Sequence, residues 1–288
     1  MNKAIEQMLS PYNCQTRDDH ISALREILQQ IALLGLWRSK FFEHAAFYGG
    51  TALRVLYQLD RYSEDLDFSL LKPDEQFSLE PYRAALEREI SSFGFEITFE
   101  TRESKSRSAI ASAFLKANTL KQLIVIRSGS ELFRKTSPDE VLRIKLEVDT
   151  DPPGGFSTET RVVLQPLPFA VRLYCLPDLF AGKIHAVLCR KWKNRVKGRD
   201  WFDLVWYLGR RTPVHLRHLE SRLRYSGDWA ESAPMTRSDL LERLRAAVRK
   251  LDVRHARQEV DRFVREKIRL ELWSQDFFLE IIDQIQTE

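Results

Sequence analysis

Residues 46–70 read AFYGGTALRVLYQLDRYSEDLDFSL, and no other stretch restricts the fold as much. The apolar run HAAFY ends in Gly49-Gly50, which marks a strand closing in a tight turn. TALRVLYQL then spaces Leu53, Leu56, Tyr57 and Leu59 for a helix. EDLDFSL alternates polar and apolar residues, the pattern of a strand with one buried face. A strand–turn–helix–strand unit of this kind belongs in a mixed α/β layer.

Other segments extend that layer. Residues 17–37 carry apolar positions at helical spacing. SLEPYRAALEREISSFG predicts a helix with Ser78 as N-cap and Gly94 as stop. FEITFET, KQLIVIRS, EVLRIKLEVDT and VRLYCL predict strands, and DPPGGF a turn. From Pro177 the pattern turns helical, through PDLFAGKIHAVLCRK, RDWFDLVWYLGRR, SDLLERLRAAVRKL, RQEVDRFVREK and QDFFLEIIDQI. The expected division is residues 1–176, an α/β core with an N-terminal helix, and residues 177–288, a helical domain. The fold class is α+β, a mixed sheet flanked by helices with an α-helical C-terminal domain.

The chain of 288 residues is 43% hydrophobic and 30% charged, enough for a real core. No stretch is long and apolar enough to span a bilayer, so no membrane partner is expected, and MNKAIEQMLSPYN has no signal-peptide run. Cys14, Cys175 and Cys189 show neither a disulfide framework nor a zinc spacing, which suits a reducing cytoplasm. The six histidines show no ligand spacing either. A net charge of +4 permits a nucleotide or nucleic-acid partner without requiring one.

The chemistry sits in the opening stretch. Residues two apart on a strand share a face, so Asp65 and Asp67 stand side by side, roughly 6–7 Å apart at their bases. Two carboxylates that close repel, and a divalent cation, Mg²⁺ or Mn²⁺, removes the cost. Gly49 and Gly50 let a ligand approach the backbone, and a helix beginning at Thr51 offers its free N–H groups to phosphate. In RIKLEVDT, Ile144, Leu146 and Val148 form one face and Lys145, Glu147 and Asp149 the other. Glu147 is the preferred third carboxylate and Asp149 the alternate; Lys145 is a candidate nucleotide contact.

Gly-Gly, then Asp-x-Asp, then a later acidic strand resembles the nucleotidyltransferase fold of the DNA polymerase β type. GGTALRVLYQLDRYSEDLDFSL narrows the resemblance to the AbiEii/AbiGii toxin family of abortive-infection nucleotidyltransferases. The residues that carry it are Gly49, Gly50, Thr51, Ala52, Leu53, Arg61, Ser63, Asp65, Asp67 and Phe68. A second motif, AGKIHAVLCRKWKNRVKGRDWFDL, supplies Lys183, Arg190, Arg199, Asp200, Asp203 and Leu204. The resemblance implies an NTP-using transferase active in phage defence and paired with a separate antitoxin protein; some members modify the 3′ end of tRNA. By position it implies metal on Asp65, Asp67 and Glu147, and triphosphate on Gly49, Gly50 and Thr51, with Arg61, Ser63 and Arg199 as further nucleotide contacts. It also implies phosphate on Lys183, and Asp200 completing the site from the helical domain.

From Lys183 to Arg199 there are seven Lys or Arg residues and no acid, a density suited to triphosphate or RNA. Trp192 and Trp201 either stack on bases or pack in a core. The expected reaction is attack of an acceptor hydroxyl on the α-phosphorus of an NTP, with pyrophosphate leaving and Glu147 or Asp200 taking the proton. The alternative is a non-catalytic nucleotide- or RNA-binding module of the same fold; within enzymes the rival is transfer of the γ-phosphate.

Overall fold

The structure is a computed structural model and describes residues 3–100, 119–128, 141–190, 196–264 and 267–288. The chain divides into two compact units. The first holds residues 1–58, 62–152 and 159–173; the second holds 59–61, 153–158 and 174–288.

The first unit is built on a seven-stranded mixed sheet. Its strands are β1 (Ala45–Tyr48), β2 (Asp65–Leu70), β3 (Phe95–Glu100), β4 (Thr119–Ser128), β5 (Val141–Asp149), β6 (Thr158–Val163) and β7 (Phe169–Tyr174). Their spatial order is β3-β4-β5-β2-β1-β7-β6. β2 runs antiparallel to β1 and parallel to β5, and β1 runs parallel to β7. Helices α1 (Lys3–Leu9), α2 (Arg17–Arg38), α3 (Gly49–Tyr57) and α4 (Glu80–Ser92) complete the unit.

Local chemistry explains these elements. Thr16 and Asp19 form a capping box at the start of α2, each side chain accepting the other's backbone N–H, at 3.2 and 2.9 Å. α2 then buries Leu24, Ile27, Leu28, Ile31 and Leu34. On the sheet, Phe47 stacks on Phe68 at 5.1 Å and Phe41 meets Phe68 edge-on at 4.9 Å. Leu66, Phe68, Ile144, Leu146 and Val148 are all fully buried, so the alternation read from β2 and β5 holds. α3 is fastened to α2 through Arg54, whose Nε donates to Glu26 Oε2 at 2.8 Å; the Tyr12 hydroxyl donates to the other oxygen of Glu26 at 2.9 Å.

The second unit carries α5 (Leu176–Cys189), α6 (Gly198–Gly209), α7 (Leu216–Tyr225), α8 (Arg237–Arg249), α9 (Val253–Asp261) and α10 (Gln275–Ile282). α5 packs on α6 and α7, and α6 on α9. Phe180 stacks on Tyr207 at 4.3 Å in its core. No described helix is long and apolar enough to cross a membrane.

Four expectations change. α3 begins at Gly49 rather than Thr51, so the glycines are its first turn. The cap position of α4 is Leu79, although the Ser78 hydroxyl still accepts the Glu80 N–H at 3.2 Å. The fourth helix of the C-terminal portion runs over Val253–Asp261 because the Asp252 side chain accepts the His255 N–H and caps it there. β6 and α7 were not expected: β6 has one buried residue, Val163, and offers little apolar alternation, whereas α7 carries Leu216, Leu219 and Leu223 at helical spacing that the reading passed over.

Candidate active site

Backbone register brings the first-unit candidates together. Tyr48 at the end of β1 pairs with Asp67 of β2. On the other side of β2, Asp65 pairs with Lys145 and Asp67 with Glu147. Paired residues of neighbouring strands point to the same face, so Asp65, Asp67, Lys145 and Glu147 make a two-by-two patch beside the N-terminus of α3. All four are half-buried. The Lys145 ammonium is ion-paired to Glu147. Burial alone would lower its pKa, but the Glu147 hydrogen bond and the charges of Glu147, Asp65 and Asp67 raise it.

The two glycines do different jobs. Gly49 has φ of +81°, a conformation that side chains resist. A Cβ built there would lie 2.5 Å from Asp67 Oδ2 and 3.2 Å from its Cβ and Cγ. The Asp67 carboxylate therefore sits directly against the first turn of α3. The N-cap of α3, Tyr48, supplies no side-chain cap. Thr51 is fully buried and its hydroxyl donates to the Asp65 carbonyl, so its side chain fastens α3 to the head of β2. Ser63 accepts at its carbonyl from Gln29 Nε2, 3.2 Å away.

The donor set fits a hard divalent ion: three carboxylates in one register, with no imidazole or thiol among them. Among the described residues their oxygens are not all within 4.8 Å of one another. Asp149, the alternate, is one strand pair further along, opposite Ser69, and its Oδ1 accepts the Asp151 N–H at 3.1 Å.

The second-unit candidates form a separate ionic cluster. Lys183 Nζ lies 2.7 Å from Asp200 Oδ1 and 2.7 Å from Asp203 Oδ2. Arg61 grips both oxygens of Asp203, Nε and Nη2 each at 2.6 Å. Arg190 reaches Asp200 at 3.2 Å. Arg61, Asp200 and Asp203 are buried. Burial would raise the pKa of both aspartates, but Lys183 and Arg190 hold Asp200 well below the usual carboxylate range, and Arg61 and Lys183 do the same for Asp203. Lys197, half-buried, loses hydration and faces Arg190, Lys183 and Arg199, which push it down to about 8 despite the attraction of Asp200. Arg199 donates to Glu259 and lies over the Phe263 ring at 4.1 Å. Trp201 is buried edge-on against Phe278 at 5.1 Å, a core residue. Lys191, Trp192, Lys193 and Arg195 of the basic run fall outside the described residues.

Sequence reasoning passed over Asp203 and Arg190 as site members and paired no group with Arg61. The Arg61–Asp203 contact joins residues 142 apart, and local spacing carries no signal of it.

The architecture is shared with solved nucleotidyltransferase structures. MenT4, a nucleotidyltransferase toxin from Mycobacterium tuberculosis H37Rv, aligns with a TM-score of 0.57 at 15% identity, over 99% of this chain and 90% of that one. JHP933 from Helicobacter pylori aligns with a TM-score of 0.52 at 16% identity, over 91% of this chain and 88% of that one. A putative nucleotidyltransferase from H. pylori has the same TM-score of 0.52 at 17% identity, over 91% of each chain. No curated protein matches the sequence. Residues 31–281 match the profile of the family described as nucleotidyl transferase AbiEii toxin, type IV toxin–antitoxin system. The chain belongs to that family and is a nucleotidyltransferase of the toxin type.

Proposed function

We propose that this enzyme is a metal-dependent nucleotidyltransferase that moves a nucleotide from an NTP onto an RNA acceptor, the 3′ end of tRNA, and that a cognate antitoxin protein restrains it in the cytoplasm during phage defence. The observation that carries the reading is the register that sets Asp65 and Asp67 beside Lys145 and Glu147, against the uncapped first turn of α3.

Asp65, Asp67 and Glu147 would hold Mg²⁺ or Mn²⁺, which when bound offsets charge on the triphosphate and on the reacting oxygens. Gly49 and Gly50 open the α3 N-terminus to phosphate oxygens. Thr51 acts through its hydroxyl bond to the Asp65 carbonyl, which keeps helix and acid pair in fixed relation. Lys145 orients Glu147 and adds a positive charge for the triphosphate. Glu147 takes the proton from the acceptor hydroxyl, whose oxygen then attacks the α-phosphorus as pyrophosphate leaves; Asp200, the alternative, is a weaker base because Lys183 and Arg190 hold its pKa down. The roles of Lys183 and Asp200 rest on the motif alone. An ammonium has three donors, and two of those on Lys183 face carboxylates. Arg61, Ser63 and Arg199 remain nucleotide contacts on the motif alone; Arg61 and Arg199 are ion-paired to Asp203 and Glu259.

The test is incubation with total RNA and each α-labelled NTP in the presence of Mg²⁺, followed by sequencing of labelled RNA. Label at tRNA 3′ ends is the expected result, reduced by about 100-fold or more in Asp65→Asn and Asp67→Asn. Labelling only from γ-labelled NTP would mean phosphotransfer. Binding of NTP with no labelling of any acceptor would favour the non-catalytic module.

A further inference from the structure

α5 places His185 and Cys189 four residues apart, hence on one helix face. α7 ends at Tyr225 with Ser226 as its C-cap, the chain reverses at Gly227 with φ of +76°, and Asp228 returns toward that face. The reversal is anchored: the Asp228 N–H donates to the Leu223 carbonyl at 2.8 Å. The ligand atoms of His185, Cys189 and Asp228 all lie within 4.8 Å of one another, and among the described residues no other set of three His, Cys, Asp or Glu does so. Ser226 Oγ sits between them, 3.1 Å from His185 Nε2 and donating to Asp228 Oδ2 at 2.7 Å. His185 is buried, while Cys189 and Asp228 are part-exposed and give an ion a way in.

We propose that His185, Cys189 and Asp228 form a zinc site that pins the C-terminal end of α5 to the turn after α7, with water or the Ser226 hydroxyl as fourth ligand. A tetrahedral zinc with bonds of about 2.0–2.3 Å sets its ligand atoms roughly 3.3–3.8 Å apart, a side-chain adjustment from the observed spacing. One imidazole, one thiolate and one carboxylate select a borderline ion such as Zn²⁺ over Mg²⁺, so the site is chemically distinct from the Asp65–Asp67–Glu147 patch. On binding, Cys189 gives its thiol proton to solvent, and thiolate plus carboxylate cancel the two charges of the ion. The site is then neutral beside Arg190, Arg222 and Arg243, whose charges act on His185 or Cys189. Spacing along the chain does not mark the site, because the third ligand is 39 residues beyond Cys189.

The test uses the full chain, stripped with a chelator and titrated with Co²⁺ as a spectroscopic probe. One equivalent should produce a thiolate-to-cobalt charge-transfer band that Zn²⁺ displaces. The band should persist in Asp65→Asn/Asp67→Asn, because carboxylates cannot generate it, and vanish in Cys189→Ser. On the unaltered chain, Zn²⁺ should slow alkylation of Cys189, read by mass spectrometry, and leave Cys14 and Cys175 unchanged. Absence of the band in the unaltered chain, its survival in Cys189→Ser, or equal alkylation of Cys189 with and without Zn²⁺ would each overturn the proposal.

Discussion

A methyl group added at Gly49 meets two obstacles at once. Its φ of +81° costs a side chain about 1–2 kcal/mol, and the new Cβ falls 2.5 Å from Asp67 Oδ2. Gly49→Ala should therefore displace the Asp67 carboxylate and abolish transfer, with a stability loss of that order. A folded variant with unchanged turnover would show that Asp67 need not sit there. The second-unit cluster answers to a different penalty. Asp203 is fully buried and is the partner of Arg61, so Asp203→Ala leaves a guanidinium without its counter-charge and should cost about 3–5 kcal/mol. Urea unfolding measures this; a loss below about 1 kcal/mol would mean that water reaches Arg61. Lys183→Ala is milder, because Asp203 keeps Arg61 and Asp200 keeps Arg190. Its effect on NTP binding is meaningful only when measured well below its lowered melting temperature.

At the scale of elements, α6 and α9 touch through backbone. A Cβ on Gly198 would lie 1.8 Å from the Ala256 carbonyl oxygen. No rotamer relieves that contact, so Gly198→Ala must push the helices apart and should cost at least about 3 kcal/mol. Gly209, at the far end of α6, has nothing within 4 Å of its virtual Cβ, and Gly209→Ala should stay within about 1 kcal/mol of the parent. Equal melting of the two variants would contradict the close crossing. In the first unit, Thr16→Ala removes the capping box of α2 and should cost about 1 kcal/mol. The periods of α2, α3, β2 and β5 were legible, because each depends on residues a few positions apart. The closeness of Gly198 to Ala256 was not, since a glycine opening a helix looks the same whether or not another backbone presses on it.

Over the whole molecule, pH reads the buried charges. Asp200 and Asp203 titrate below their unfolded value of 3.8, so the stability they contribute is complete above that pH and is lost as pH falls beneath it. Lys197 titrates at about 8 against 10.5 when unfolded, so the folded state holds fewer protons and stability rises with pH through that interval. Lys197→Met should remove the alkaline rise in melting temperature; an unchanged alkaline slope would show that the fold does not hold the Lys197 pKa down. The mixed sheet and the acid pair at its centre were present in the sequence. Each is written in local periodicity, and a carboxylate pair at i and i+2 of a strand shares a face in any fold. Tertiary structure alone decided the rest. It assigned residues 59–61 to the helical unit, which turned Arg61 from an expected nucleotide contact into the partner of Asp203. It chose Gly49 as the glycine under Asp67, and it set Lys145 and Glu147 opposite Asp65 and Asp67. Those outcomes depend on strand order and register, fixed by how separate faces bury together, and such long-range pairing leaves no mark on spacing along the chain.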